Sequence, residues 1–168
     1  MRYSVKAQYS LELDGPAKNA AGFVDRITIR VVREGRQEVR ERGIHTPATA
    51  AFIVSDLLEG SDREHVIALI LNTKNRIIGV NVVSIGSVNE CIVSPREVFK
   101  PALILGATAV LLVHNHPSGD ATPSPEDYAV TERLKNAGTI LGIELIDHVV
   151  IGRPGEYTSI RESGRLTW

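Results

Sequence analysis

The chain has 168 residues, a hydrophobic fraction of 43%, a charged fraction of 23% and a formal net charge of -1, the profile of an ordinary globular protein long enough for one real core. Residues 1–50 carry nine Lys+Arg against six Asp+Glu and the remainder ten against fourteen, a basic bias too diffuse for a nucleic-acid footprint. The single cysteine, Cys91, excludes an intrachain disulfide and a thiolate metal cluster; with no apolar stretch long enough for a membrane helix and no continuous signal-peptide core, a cytoplasmic location is expected.

In chain order, Tyr3, Val5, Ala7, Tyr9, Leu11 and Leu13 alternate with polar residues, the period-two pattern of a strand with one buried face. Asp14-Gly15-Pro16 breaks it, and Ile27, Ile29 and Val31 alternate again. Residues 1–45 are therefore predicted to form a strand-rich extension, and residues 46–168 the main domain. Thr46-Pro47 reads as an N-cap and first helical position, followed by an Ala-rich helix with Phe52, Ile53, Leu57 and Leu58 on one face until Gly60. The continuous apolar run 66–71 predicts a strand covered on both faces, and the polar turn 73–76 joins it to 77–85 as a hairpin. Ser94-Pro95-Arg96-Glu97 has the form of a capping box opening a helix toward Gly106. A second buried strand spans 109–113, Ser124-Pro125-Glu126-Asp127 opens another helix predicted to end near Gly138, and 143–151 forms a further strand with 157–160 returning antiparallel. The expected fold class is α/β, a mixed β-sheet flanked by helices.

The chemistry concentrates where the 109–113 strand ends, in His114-Asn115-His116-Pro117-Ser118-Gly119-Asp120. Residues i and i+2 of an extended chain point the same way, so His114 and His116 can converge on one point. Pro117, Gly119 and Pro123 let the chain turn back and bring Asp127, at the start of the next helix, beside them. Two neutral imidazoles and a carboxylate form a zinc set that leaves a fourth position for water. Taken singly, the histidines can be surface residues, and Ser124 and Asp127 can be a helix cap; the combined spacing favours a metal site. His45 and His65 lack ligand spacing, and Cys91 lacks an activating neighbour.

The pattern His114-x-His116-Pro117, seven residues, then Ser124-x-x-Asp127 resembles the motif of the JAMM metalloprotease superfamily. Residues 94–100, His114 to Gly119, and Leu145-Ile146-Asp147-His148 extend the likeness to its RadC-like branch, over about residues 46–161. The resemblance implies a JAB/MPN-like (cytidine-deaminase-like) fold and a zinc ion held by His114, His116 and Asp127. It also implies a hydroxyl from Ser124 that stabilises the tetrahedral intermediate, and an upstream glutamate that activates water. Glu64, just before the 66–71 strand, matches that glutamate better than Glu90 or Glu97. The implied activity is peptide or isopeptide hydrolysis on an unspecified protein substrate. The alternative is a metal-binding module acting in DNA repair or recombination complexes, although residues 1–45 show no helix-hairpin-helix region of the kind larger RadC-like proteins carry. Asp147 and His148 fit either a place in the cleft or a structural role at a strand start.

Overall fold

The computed structural model describes residues 43–58, 61–86 and 93–168. The chain divides into two units, Met1–Arg36 and Gln37–Trp168, and every described residue belongs to the second. The two N-terminal strands predicted above, Glu90 and Cys91 lie outside the described residues.

Helix α1 (Pro47–Leu57) opens as its sequence demands, with the Thr46 hydroxyl accepting the Thr49 N–H and Pro47 in the first turn. Its buried stripe is Ala50, Ala51, Ile53 and Val54. Phe52, expected on that stripe, is half exposed: the alanines bring the helix close to the sheet and leave the larger ring to the outside. Strands β1 (His65–Leu71) and β2 (Ile77–Ile85) form the predicted antiparallel hairpin.

Helix α2 (Pro95–Ile104) follows. Ser94 stands at its N-cap but its side chain makes no capping bond, so the expected capping box is not formed; Glu97 is exposed. Pro101 lies inside this helix and has no N–H to give to the carbonyl of Glu97. The side-chain amide of Asn81 on β2 donates to that carbonyl instead, at 3.2 Å, and so ties the helix to the hairpin.

Strand β3 (Ala109–Asn115), helix α3 (Pro125–Leu141), strand β4 (Glu144–Ile151) and the short β5 (Tyr157–Ser159) complete the domain. The sheet order is β2-β1-β3-β4-β5, with β3 and β4 parallel and every other pair antiparallel. This is the α/β mixed sheet expected. Among the described residues no helix is long and apolar enough to cross a membrane.

Alternate residues of β1 and β3 enter opposite cores. Ile67, Leu69, Leu71, Leu111 and Val113 pack with α1; Val66, Ala68, Ile70, Val110 and Leu112 pack with Val98 and Phe99 of α2 and Leu134 of α3. Both strands are covered on both faces, which is why their sequences read as unbroken apolar runs. His114 continues the second series and therefore points to the α2/α3 side. Because β3, α3 and β4 form a parallel crossover unit, the C-terminal end of β3 and the N-terminus of α3 come together, as ligand sites of such units do.

Helix α3 runs three residues past the predicted end and stops at Gly142 in the left-handed conformation, φ 69°. Gly138 is not a terminator. A Cβ there would stand 2.4 Å from the carbonyl oxygen of Ile143 and 3.1 Å from the Phe99 ring, so the glycine lets the helix lie on the start of β4. Gly138→Ala is expected to destabilise the domain by about 1–3 kcal/mol through overpacking, although Ala in a helix interior is intrinsically favoured by roughly 1 kcal/mol. A lowered denaturation midpoint at unchanged m value checks this.

Candidate metal centre

Three ligand atoms, one each from His114, His116 and Asp127, lie within 4.8 Å of one another. His114 is buried; His116 and Asp127 are partly accessible, so the cluster opens to one side. The Nε2 atoms of the two histidines are 2.9 Å apart, and Asp127 Oδ1 is 3.2 Å from His114 Nε2 while its Oδ2 is 3.6 Å from His116 Nε2.

The hydrogen bonds behind these atoms fix which nitrogens carry protons. Thr131, one turn after Asp127 on α3, donates its hydroxyl proton to the Asp127 carbonyl at 2.6 Å, so at 2.6 Å from His148 Nδ1 it can only accept. His148 therefore carries its proton on Nδ1 and offers a lone pair on Nε2, which takes the Nδ1–H of His114 at 2.7 Å. His114 is left with its lone pair on Nε2. In His116 the Nδ1–H donates to the Asp120 carbonyl at 2.7 Å, which again leaves Nε2 as the lone-pair nitrogen. Two such nitrogens facing one another repel unless a cation lies between them, and a carboxylate beside them completes the set. A metal ion or a proton suits this arrangement, and the donor types are those of a site with an open position.

The electrostatics agree with that geometry. Burial would raise the Asp127 carboxyl, but His114, His116 and the Ser124 hydroxyl outweigh it and hold the group far below the usual carboxylate range. His116 is raised, chiefly by Asp127 against the opposing effect of burial, with smaller help from the Asp120 carbonyl and the Glu64 carboxylate. His148, wholly buried beside His114, is pushed well below the usual imidazole range and stays neutral, as its role of acceptor requires.

A β-bulge aims His148 into this network. Val110 pairs with Leu145 but Leu111 pairs with Asp147, so Ile146 is an extra residue in β4. Leu145 and His148, three apart, thereby share the α3 face; regular alternation would have sent His148 to the opposite core. Asp147 turns to the other face, where its carboxylate accepts from Ser159 Oγ at 2.7 Å and from the backbone N–H of Arg161 at 3.1 Å. Its carboxyl is raised by burial, and it ties the chain after β5 to the sheet. His148 thus belongs to the cluster and Asp147 to the scaffold.

Ser124 caps α3. Its hydroxyl accepts the Asp127 N–H at 3.1 Å and donates to Asp127 Oδ2 at 2.7 Å, and its own N–H donates to that same oxygen at 2.7 Å. The capping box and the ligand set share one carboxylate, with Oδ2 held by the cap and Oδ1 turned to His114. Glu64 lies two residues before Val66, which pairs with His114, and its carboxylate is close enough to His116 to add to the raising of that ring. The loop after His116 returns through Gly119 (φ 81°), whose carbonyl accepts the Arg153 N–H at 3.0 Å.

A family model described as the RadC-like JAB domain matches residues 44–165. The chain belongs to the RadC-like JAB domain family. Among curated relatives, a UPF0758 protein of Shouchella clausii is 52% identical over 121 residues, 72% of this chain and 52% of that protein. One from Desulforudis audaxviator is 44% identical over 156 residues, 89% of this chain and 64% of the relative. One from Methanococcoides burtonii is 56% identical over 105 residues, 62% and 45% of the two chains. The chain thus spans about half to two thirds of the length of these relatives.

In this RadC-like JAB domain, sequence reasoning missed Thr131. Its signal was available: Thr131 follows Asp127 by four residues and so occupies the same helix face one turn on. Thr131→Val keeps the shape and removes the acceptor for the buried His148 Nδ1–H. It is expected to cost about 1–3 kcal/mol of stability and to weaken metal binding roughly 10–100-fold, as read by competition with a chromogenic chelator. Unchanged affinity would show that the chain from α3 to His114 does not orient the ligand.

Proposed function

We propose that this domain is a zinc-dependent hydrolase of the JAMM type, cutting peptide or isopeptide bonds in the cytoplasm. The reading is carried by one observation: the Nδ1 hydrogen bonds of His114 and His116 leave their Nε2 atoms turned toward one another and toward an ionised carboxylate, with the Glu64 carboxylate close to His116. His114, His116 and Asp127 would hold the ion. A zinc ion in such a site supplies Lewis acidity and lowers the pKa of water toward neutrality.

The protein's own groups then act around the scissile carbonyl. Glu64 takes a proton from the attacking water as the C–O bond forms and delivers it to the leaving nitrogen as the C–N bond breaks, so one water is consumed per bond cut. Ser124 turns its hydroxyl from Asp127 toward the developing oxyanion, beside the N-terminus of α3, where negative charge is favoured. Thr131 and His148 keep His114 in one tautomer throughout.

Elemental analysis of purified protein, joined to cleavage of a mixed peptide library with and without chelator, tests this reading. Stoichiometric zinc and chelator-sensitive peptide cleavage are expected. Zinc without cleavage would shift the reading to a metal-binding module in DNA repair or recombination complexes. Chelator-sensitive cutting of DNA would overturn both.

A further inference from the structure

We infer that Asn115, the residue between the two histidine ligands, is the positioning residue for Glu64. This inference rests on the reading of Glu64 as the proton carrier.

Pairing between β1 and β3 ends at Val66 and His114. Beyond it, Glu64 keeps one backbone bond on the β2 side, where its carbonyl accepts the Gly86 N–H at 2.9 Å. On the β3 side the backbone groups flanking Glu64 are the Arg63 carbonyl and the His65 N–H. One side chain reaches both: Asn115 Oδ1 accepts the His65 N–H at 2.8 Å, and Asn115 Nδ2 donates at 3.0 Å to the Arg63 carbonyl, which also lies 2.9 Å from His65 Nδ1. The carboxamide stands where the next peptide group of a sheet ladder would stand, and it prolongs β1 by the residues needed to hold Glu64 close to His116.

Few side chains can do this. A donor and an acceptor on one short planar group are required; Asp keeps the acceptor and loses the donor, Leu loses both, and Gln is one methylene too long for the same reach. The placement carries a second consequence. Asn115 shares its strand end with His114 and His116, so a displacement of that end carries the ligands and Glu64 together. The distance between metal ligands and proton carrier is thereby set by one short segment of backbone and one amide.

The test uses the full chain loaded with cobalt(II), whose visible bands change with pH as the open position of the site ionises. Removing a neighbouring carboxylate favours the negative form there, so Glu64→Gln lowers the pH midpoint, by about one unit for a close pair. Asn115→Ala is expected to lower it in the same direction by at least half as much, with stoichiometric cobalt retained. The double variant is expected to match Glu64→Gln alone, because Asn115 acts through Glu64. If Glu64→Gln moves the midpoint and Asn115→Ala does not, or if the two shifts add, the positioning role is overturned while Glu64 stands. If Glu64→Gln leaves the midpoint where it was, the proton-carrier reading fails and takes this one with it. Should Asn115→Ala not fold, Asn115→Leu keeps the volume and loses both bonds; faster amide exchange at His65 and a lowered midpoint are expected, and exchange as slow as in the parent with an unmoved midpoint would overturn the clamp.

Discussion

Glu64→Gln is expected to lower kcat about 10²- to 10⁴-fold, the range for loss of a general base, on any peptide that the chelator-controlled screen yields, while bound zinc stays near stoichiometric. The substitution keeps the size of the side chain and removes its basicity. Glu64 is not one of the clustered ligands and sits in a partly buried stretch ahead of β1, so neither the metal cluster nor the core depends on its charge. Zinc content measured on the same preparation separates loss of chemistry from loss of metal. Turnover within a few-fold of the parent would remove Glu64 from the mechanism.

Much of this arrangement is legible in the sequence because local rules and tertiary context agree there. The run from Ala109 to Val113 announces a doubly covered strand, and His114-x-His116 at its end is a statement about direction that any extended backbone honours. The Ser124 to Asp127 cap fixes where α3 begins, and a short loop forces that start to lie beside the strand. Glu64 comes instead from the family resemblance: the pairing of Val66 with His114 joins two strands distant in the chain, and no local rule announces it.

Other features escape a sequence reading because their cause is a neighbour distant in the chain. Gly138 reads as a helix stop until the carbonyl of Ile143 is seen packed against it. Ser94 and Glu97 spell a capping box, yet Asn81 from another element, and not Ser94, supplies the side-chain bond at that helix. The direction of His148 depends on an extra residue in β4; a bulge changes register without changing composition, and period-two counting sends the ring to the wrong core. That Asp127 both caps α3 and joins the His114–His116 cluster is readable in outline, but the division of labour between its two oxygens is a matter of angles.

His116→Ala is expected to have the complementary signature: bound zinc falls from stoichiometric to undetectable after dialysis, and the fold survives. His116 is the ligand to choose because its ring is 20% exposed and its Nδ1–H bonds only a loop carbonyl. Truncating His114 instead would leave His148 Nε2 without a donor inside the core, at a cost of about 1–3 kcal/mol, and would confuse metal loss with unfolding. Ligand binding stabilises a fold by mass action, by about 2.7 kcal/mol at a free concentration one hundred times Kd. Added zinc should therefore raise the melting temperature of the parent and leave that of His116→Ala where it was. In the metal-free parent the raised His116 means that a proton competes for Nε2 from above pH 6.5 downward, so the zinc-induced shift should shrink as pH falls through that range. The variant, lacking the competing group, should show neither the shift nor its pH dependence. A His116→Ala protein stabilised by zinc as strongly as the parent would place the ion outside the cluster of His114, His116 and Asp127.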